Sequence, residues 1–272
     1  MPEGKSAGVA LVTGSSSGIG MAFAKALAAR GYDLIMVARR RERLEALASS
    51  LRQEYGVAVE VLVADLSNPA DLRRVETRIA EGERLALLVN NAGLGGIKPF
   101  LEMGRDYAEA MIAVNITALT LLTYAALPGM LRRGEGTIIN LASGLAYARR
   151  PGTAVYGATK AFVAHFTRTL HEEYGSRGIR FQAMLPGLTR TELGSGQDSI
   201  MFDQFPPDKI NTPEKAAAES LAGVELGELV CIPGLENLEE WTRVDGAMQE
   251  VMQKVSPGVP AKRYRKFMPG LV

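Results

Sequence analysis

The sequence predicts an α/β fold: one doubly wound parallel sheet of about seven strands, flanked by helices, with a helical C-terminal extension. Three observations carry this prediction. Short apolar runs alternate with longer segments of helical period. Most of the short runs are apolar throughout, as strands are when helices cover both faces of a parallel sheet. The first run passes directly into a glycine-rich turn, Thr13-Gly14-Ser15-Ser16-Ser17-Gly18-Ile19-Gly20, which opens a helix.

Strands are expected at residues 9–12, 34–37, 57–63, 85–89, 137–141, 179–185 and 229–232. Helices are expected at 19–30, 41–55, 71–81, 105–127, 155–174 and 213–224. Gly31 and Gly175 stand where the first and fifth helices should stop. Asn68-Pro69 and Thr212-Pro213 read as helix starts, a capping side chain followed by a proline. Right-handed β-α-β crossovers then give a Rossmann-type domain over residues 1–234. Two regions break the rhythm. Residues 188–212 form a long, Gly/Asp/Pro-punctuated segment, read as a substrate lid. In the extension, 235–272, Trp241, Val244, Met248, Val251 and Val255 recur at helical spacing, with Gly246 weakening the helix.

Composition narrows the class. The chain has 272 residues, 47% hydrophobic and 22% charged, and its net charge of +1 offers no basic field for nucleic acid. The single cysteine, Cys231, has no intrachain partner and lies in an apolar run, so it reads as a small core residue. The N-terminus runs almost directly into a strand, leaving no room for a signal peptide, and no apolar run has the length of a membrane span. A cytoplasmic protein with no stable membrane insertion is expected. His165 and His171 share a helix at the wrong spacing for a metal pair, so no metal is assigned.

The glycine turn suits a phosphate group. Positive φ and close backbone approach need glycine, and amides at a helix N-terminus face the anion. Gly14, Ser16, Ser17, Gly18, Ile19 and Gly20 are therefore cofactor-binding candidates. The second strand ends at Val37-Ala38, which in this fold faces the adenosine ribose. No acid stands there to accept from a 2′-hydroxyl. Arg39 and, second, Arg40 offer guanidinium groups that suit a 2′-phosphate, so NADP(H) is the expected cofactor. Asp65-Leu66 follows the third strand, where an acid accepts from the adenine amino group. Asn90-Asn91-Ala92-Gly93 follows the fourth, close to the cofactor ribose, although Asn91 also has a plain reading as a turn residue.

Taken together, Thr13–Gly20, Asn90–Gly93, Asn115, Ser143, Tyr156 with Lys160, and Pro186-Gly187 resemble the short-chain dehydrogenase/reductase family over roughly residues 8–232. The resemblance implies four catalytic positions. Ser143 would hydrogen-bond the substrate oxygen, and Tyr156 would be general acid in reduction and base in oxidation. Lys160 would bind the nicotinamide ribose and lower the tyrosine pKa, and Asn115 would hold a water in the proton relay. Pro186-Gly187-Leu188-Thr189-Arg190-Thr191 is similar to the family's carboxamide-binding segment. Thr191 and the backbone near Leu188 would anchor the amide, and Thr189 replaces the usual valine. The chemistry stands beside the resemblance. A free tyrosine ionises near pH ~10, and a neighbouring cation stabilises phenolate. At i and i+4, Tyr156 and Lys160 share one helix face.

The expected activity is NADPH-dependent reduction of a carbonyl compound, reversible as alcohol oxidation. The alternatives are a 3-oxoacyl thioester reductase, a hydroxysteroid-type dehydrogenase, or a nucleotide-sensing protein without turnover. The substrate pocket is expected from residues 94–98, 145–149, 188–193 and the lid residues Ile200, Met201, Phe202 and Phe205, with Lys98, Arg149 and Arg190 at its rim. These walls favour a bulky or hydrophobic substrate. The resemblance also implies a homodimer or homotetramer through the helices at 105–127 and 155–174.

Overall fold

The computed structural model describes residues 7–82, 84–192, 202, 205–255 and 260–268. The chain divides into two compact units, Met1–Gly234 and Leu235–Val272. The first carries strands β1 (Val9–Thr13), β2 (Asp33–Ala38), β3 (Val59–Val63), β4 (Leu85–Asn90), β5 (Gly136–Leu141), β6 (Ile179–Met184) and β7 (Val230–Cys231). Its helices are α1 (Gly18–Ala29), α2 (Arg41–Tyr55), α3 (Pro69–Ala80), α4 (Arg105–Ile112), α5 (Leu119–Arg133), α6 (Ala154–Tyr174) and α7 (Pro213–Leu226). Among the described residues the strands form one parallel sheet in the order β3-β2-β1-β4-β5-β6-β7. The order reverses between β1 and β4. The loops that follow those two strands diverge there, and a crevice opens at the carboxyl edge of the sheet.

Side-chain alternation explains why the strands are apolar on both faces. Ala10, Val12, Leu34, Met36, Leu87 and Val89 pack with α1, α2 and α7 residues such as Phe23, Leu44 and Leu221. Their neighbours Leu11, Ile35, Val37 and Leu88 face the opposite layer, with Val75, Leu122 and Met130. The helix starts follow the sequence logic. The Asn68 side chain accepts from the N–H groups of Ala70 and Asp71, and Thr212 accepts from that of Lys215.

Three expectations change. The helix expected at 105–127 runs on to Arg133 and contains a π-helical turn, Ala113–Ala118, between α4 and α5. The resulting continuous helix, Arg105–Arg133, is long and apolar enough to cross a membrane by length and composition, contrary to the sequence expectation. Half of its most apolar stretch is buried inside the fold, as in a core helix. Gly175 is not the left-handed stop of α6. It continues in αR geometry into a 3₁₀ turn, and the positive φ falls on Gly178, where a Cβ would collide with the Gly134 carbonyl. The strand expected from residue 57 begins at Val59.

The second unit contains α8 (Leu238–Gln253), capped by Asn237, whose side chain accepts from the Glu239 N–H. Val244, Met248, Val251 and Val255 are exposed.

Candidate active site

A cleft of about 1100 Å³ lies at the switch point. Its cofactor half is walled by Gly14, Ser16, Ser17, Gly18, Ile19, Arg39, Arg40, Asp65, Leu66, Asn91, Ala92 and Gly93. Tyr156, Lys160, Pro186 and Thr191 close its middle, and Leu94 to Lys98, Met103, Tyr107, Ala110 and Val114 form the far wall.

The glycine turn is held from below by β4. Thr13 Oγ1 accepts from the N–H groups of Asn91 and Ala92, both at 2.9 Å, and donates to the Val89 carbonyl. Asn91 Nδ2 donates to the carbonyls of Thr13 and Gly14 at 2.8 and 3.3 Å. Asn91 therefore ties two loops together rather than shaping a turn. The contact demands glycine at two positions: a Cβ on Gly14 would lie 2.7 Å from Asn91 Nδ2, and one on Gly20 would lie 2.5 Å from the Gly14 carbonyl oxygen. The turn thus packs so closely on Asn91 that neither position admits a side chain. Ser15 Oγ is buried there without a hydrogen-bond partner. A cradle of this shape, with polar atoms in reserve, fits a dinucleotide pyrophosphate.

Asn90 behaves differently from its neighbours. It is buried under the sheet edge, where Nδ2 donates to Thr123 Oγ1 at 3.0 Å and to Asn140 Oδ1 at 2.9 Å. Of the two expected arginines, Arg39 is exposed and meets only Asp65, at 4.0 Å. Arg40 folds back over the turn, with Nη2 donating to Ser17 Oγ at 2.6 Å and to Ser16 Oγ at 3.0 Å. Asp65 accepts from the N–H and hydroxyl of Ser67.

Tyr156 and Lys160 reach the cleft from α6, and Ser143, two residues past β5, hydrogen-bonds the Tyr156 phenol. Ser143 Oγ accepts from the Leu145 N–H at 3.2 Å, which leaves its own proton for the Tyr156 phenol it hydrogen-bonds. Burial nonetheless holds the phenol above its ordinary pKa. The Lys160 ammonium sits 5.7 Å from the centre of the tyrosine ring and donates to the Leu141 carbonyl at 2.7 Å. Burial, in turn, lowers the lysine to about 8.

Asn115 lies in the π-helical turn. Oδ1 accepts from the Leu94 N–H at 2.8 Å, while Nδ2 donates to the Leu94 carbonyl and to Thr159 Oγ1. The side chain therefore splices the 94–98 loop to α6. Thr159 also donates to the Tyr156 carbonyl at 2.7 Å.

The substrate wall differs from expectation. Leu145, Ala146 and Tyr147 do not line the cleft, because the 3₁₀ turn Gly144–Ala146 packs on α6, against Gly157. The 94–98 loop takes that place, anchored by Lys98 N–H to the Gly152 carbonyl and by Tyr107 OH to the Gly95 carbonyl. Arg190 lies over the Phe202 ring, 5.3 Å from its centre. Ile200, Met201 and Leu193 fall outside the described residues. Thr189 is outside the cleft wall, its hydroxyl donating to the Gly187 carbonyl. Sequence reasoning missed Thr13 and Thr159 as site residues, and it placed Glu192 on the substrate side rather than beside the arginines. Only Thr13 had a signal, as the last residue of a strand before the glycine turn.

The family model for short chain dehydrogenases matches residues 8–199. A very-long-chain 3-oxoacyl-CoA reductase of Anas platyrhynchos is 37% identical over 203 residues, 73% of this chain. The chain spans 65% of that relative's length. A short-chain dehydrogenase from Sphingobium yanoikuyae, solved in complex with NADPH, is 40% identical. The match covers 94% of this chain and 100% of that one, with a TM-score of 0.88. A bulky-bulky ketone specific alcohol dehydrogenase from Comamonas testosteroni is 36% identical, covering 96% of this chain and 99% of that one, with a TM-score of 0.87.

Proposed function

Because the chain belongs to the short-chain dehydrogenase family, we propose that it reduces bulky, apolar carbonyl compounds through Ser143, Tyr156, Lys160 and Asn115. NADP(H) is the cofactor, in keeping with the NADPH-bound relative. The single observation that carries the reading is that Tyr156, hydrogen-bonded by Ser143, and Lys160 stand where the glycine turn and an apolar wall share one cleft. The cofactor, when bound, supplies the hydride.

The chain's own residues manage the proton. With its pKa held up by burial, Tyr156 is a phenol at neutral pH, the form that donates to a developing alkoxide. Ser143, its acceptor lone pair already engaged by Leu145, is oriented to donate to the same oxygen. Lys160 is a nearby buried cation, fixed by Leu141, that faces the ribose side of the cleft. Asn115 positions the substrate loop and α6 relative to one another. Reduction is the direction these proton states favour.

The substrate wall supports a bulky ketone. Ile97, Met103, Ala110 and Val114 offer no hydrogen-bonding side chains, and Lys98 stands at the exposed end. A second reading, a 3-oxoacyl thioester, draws on that lysine and on the 3-oxoacyl-CoA reductase relative. We also assign the exposed Ile112, Tyr124 and Phe162 to contact with a second copy of the chain.

The test is NADPH oxidation against aryl ketones, diketones, steroids and acetoacetyl thioesters, with NADH in parallel. Turnover that vanishes in Tyr156→Phe, by about 10²-fold or more, while NADPH affinity stays, is expected. A variant that turns over normally sinks the assignment, and silence on every substrate with NADPH still bound favours a sensor.

A further inference from the structure

After β6 the backbone is pinned to residue 211: the Arg190 N–H donates to the Asn211 carbonyl at 3.0 Å, and the Asn211 N–H to that of Leu188 at 2.8 Å. This brings Thr191 onto the glycine turn, where a Cβ on Gly18 would lie 3.2 Å from the threonine methyl. Glu192 is thereby carried across the mouth of the adenosine half of the cleft. Its carboxylate accepts from Arg40 Nη1 at 2.6 Å and from Arg43 Nη1 at 2.7 and 2.8 Å. Arg40 is held in place by its remaining donors, with Nε and Nη2 on Ser16 Oγ and Nη2 on Ser17 Oγ.

Two guanidinium groups converge on one anion, one of them braced by two serine hydroxyls, and such a pair is the charge arrangement of a phosphate monoester site. Here the anion is the chain's own carboxylate. We propose that Glu192 is a cofactor-selectivity residue, competing with the 2′-phosphate of NADP(H) for Arg40 and Arg43. The proposal rests on the NADP(H) reading above. Arg40 Nη1 cannot serve both anions, and a carboxylate left beside a 2′-phosphate repels it. NADH carries no such phosphate, and its ribose 2′-hydroxyl can donate to the carboxylate. Glu192 therefore lowers NADPH affinity selectively and narrows the preference between the two cofactors. Both arginines depress the Glu192 carboxyl pKa, so the competitor is an anion throughout the working range. All three side chains are 41–48% exposed, so solvent screens the effect to a moderate size.

The experiment is equilibrium binding of NADPH and NADH, followed by nicotinamide fluorescence, to the full-length chain and to Glu192→Gln and Glu192→Ala. Removal of the charge is expected to tighten NADPH binding by about 3- to 20-fold and to leave NADH within about twofold. The gain should shrink as salt rises. Unchanged NADPH affinity, an equal change for both cofactors, or weaker NADPH binding overturns the competition. A chain that binds NADPH no better than NADH, both native and with Glu192 replaced, sinks the NADP(H) reading and this inference with it. A native preference for NADPH, unaltered in both variants, sinks this inference alone.

Discussion

At the scale of single residues the site turns on two buried groups moved in opposite directions. Lys160 is lowered to about 8 by burial, from an ordinary 10.5. Below pH 8 it is charged in both folded and unfolded chains, and folding bears the desolvation cost, on the order of 3 kcal/mol. Between about 8 and 10 the unfolded chain keeps a proton that the folded chain releases, so stability should climb with pH. Above 10 the raised Tyr156 keeps a proton that the unfolded chain loses, and stability should turn down. Urea titrations across this range should show the climb in the native chain and its absence in Lys160→Met. An unchanged profile in the variant refutes the assignment. That Tyr156 and Lys160 share one helix face was legible from their spacing. The Leu141 carbonyl that holds the amine was not, since any residue supplies a carbonyl.

At the scale of elements, the buried ladder that sets α6 on β5 decides where the catalytic pair points. Asn140 Nδ2 donates to Thr167 Oγ1 at 2.9 Å, and Asn140 Oδ1 accepts from Asn90. Leu141, next to Asn140, provides the carbonyl for Lys160, one heptad before Thr167 on the same helix face. Thr167→Val keeps the shape but leaves the Asn140 amide unpaired. It should cost about 1–3 kcal/mol in chemical denaturation, and an effect below about 0.5 kcal/mol would exclude the ladder as a structural link. The strand and helix order was readable from apolar periodicity. The π-helical turn at Ala113–Ala118 was not. No sequence period marks one extra residue, and its consequence is that Asn115 reaches the Leu94 backbone.

At the scale of the whole molecule, the described walls of the cleft come from residues 14–192, all within Met1–Gly234. A chain ending at Gly234 should therefore bind NADPH within about threefold of the full chain, measured by the same fluorescence. A large loss would show that the second unit contributes to the site. The long apolar helix Arg105–Arg133 belongs to this scale too. Leu119, Leu122 and Met130 pack into the core, and Tyr124 faces outward. Hydropathy alone does not distinguish such a helix from a membrane span.

The sequence by itself determined the doubly wound fold, the glycine turn after the first strand and the shared helix face of Tyr156 and Lys160. These are written in local spacing, because strand period, glycine need and helical i, i+4 geometry act over a few residues. The tertiary structure alone decided which partners these groups meet. It put Asn91 under the glycine turn, turned Asn90 into the core, gave Arg40 rather than Arg39 the serine hydroxyls, and set Glu192 against Arg40 and Arg43. Those pairings join residues 23 to 152 positions apart, and no local pattern encodes a contact made only when the sheet closes.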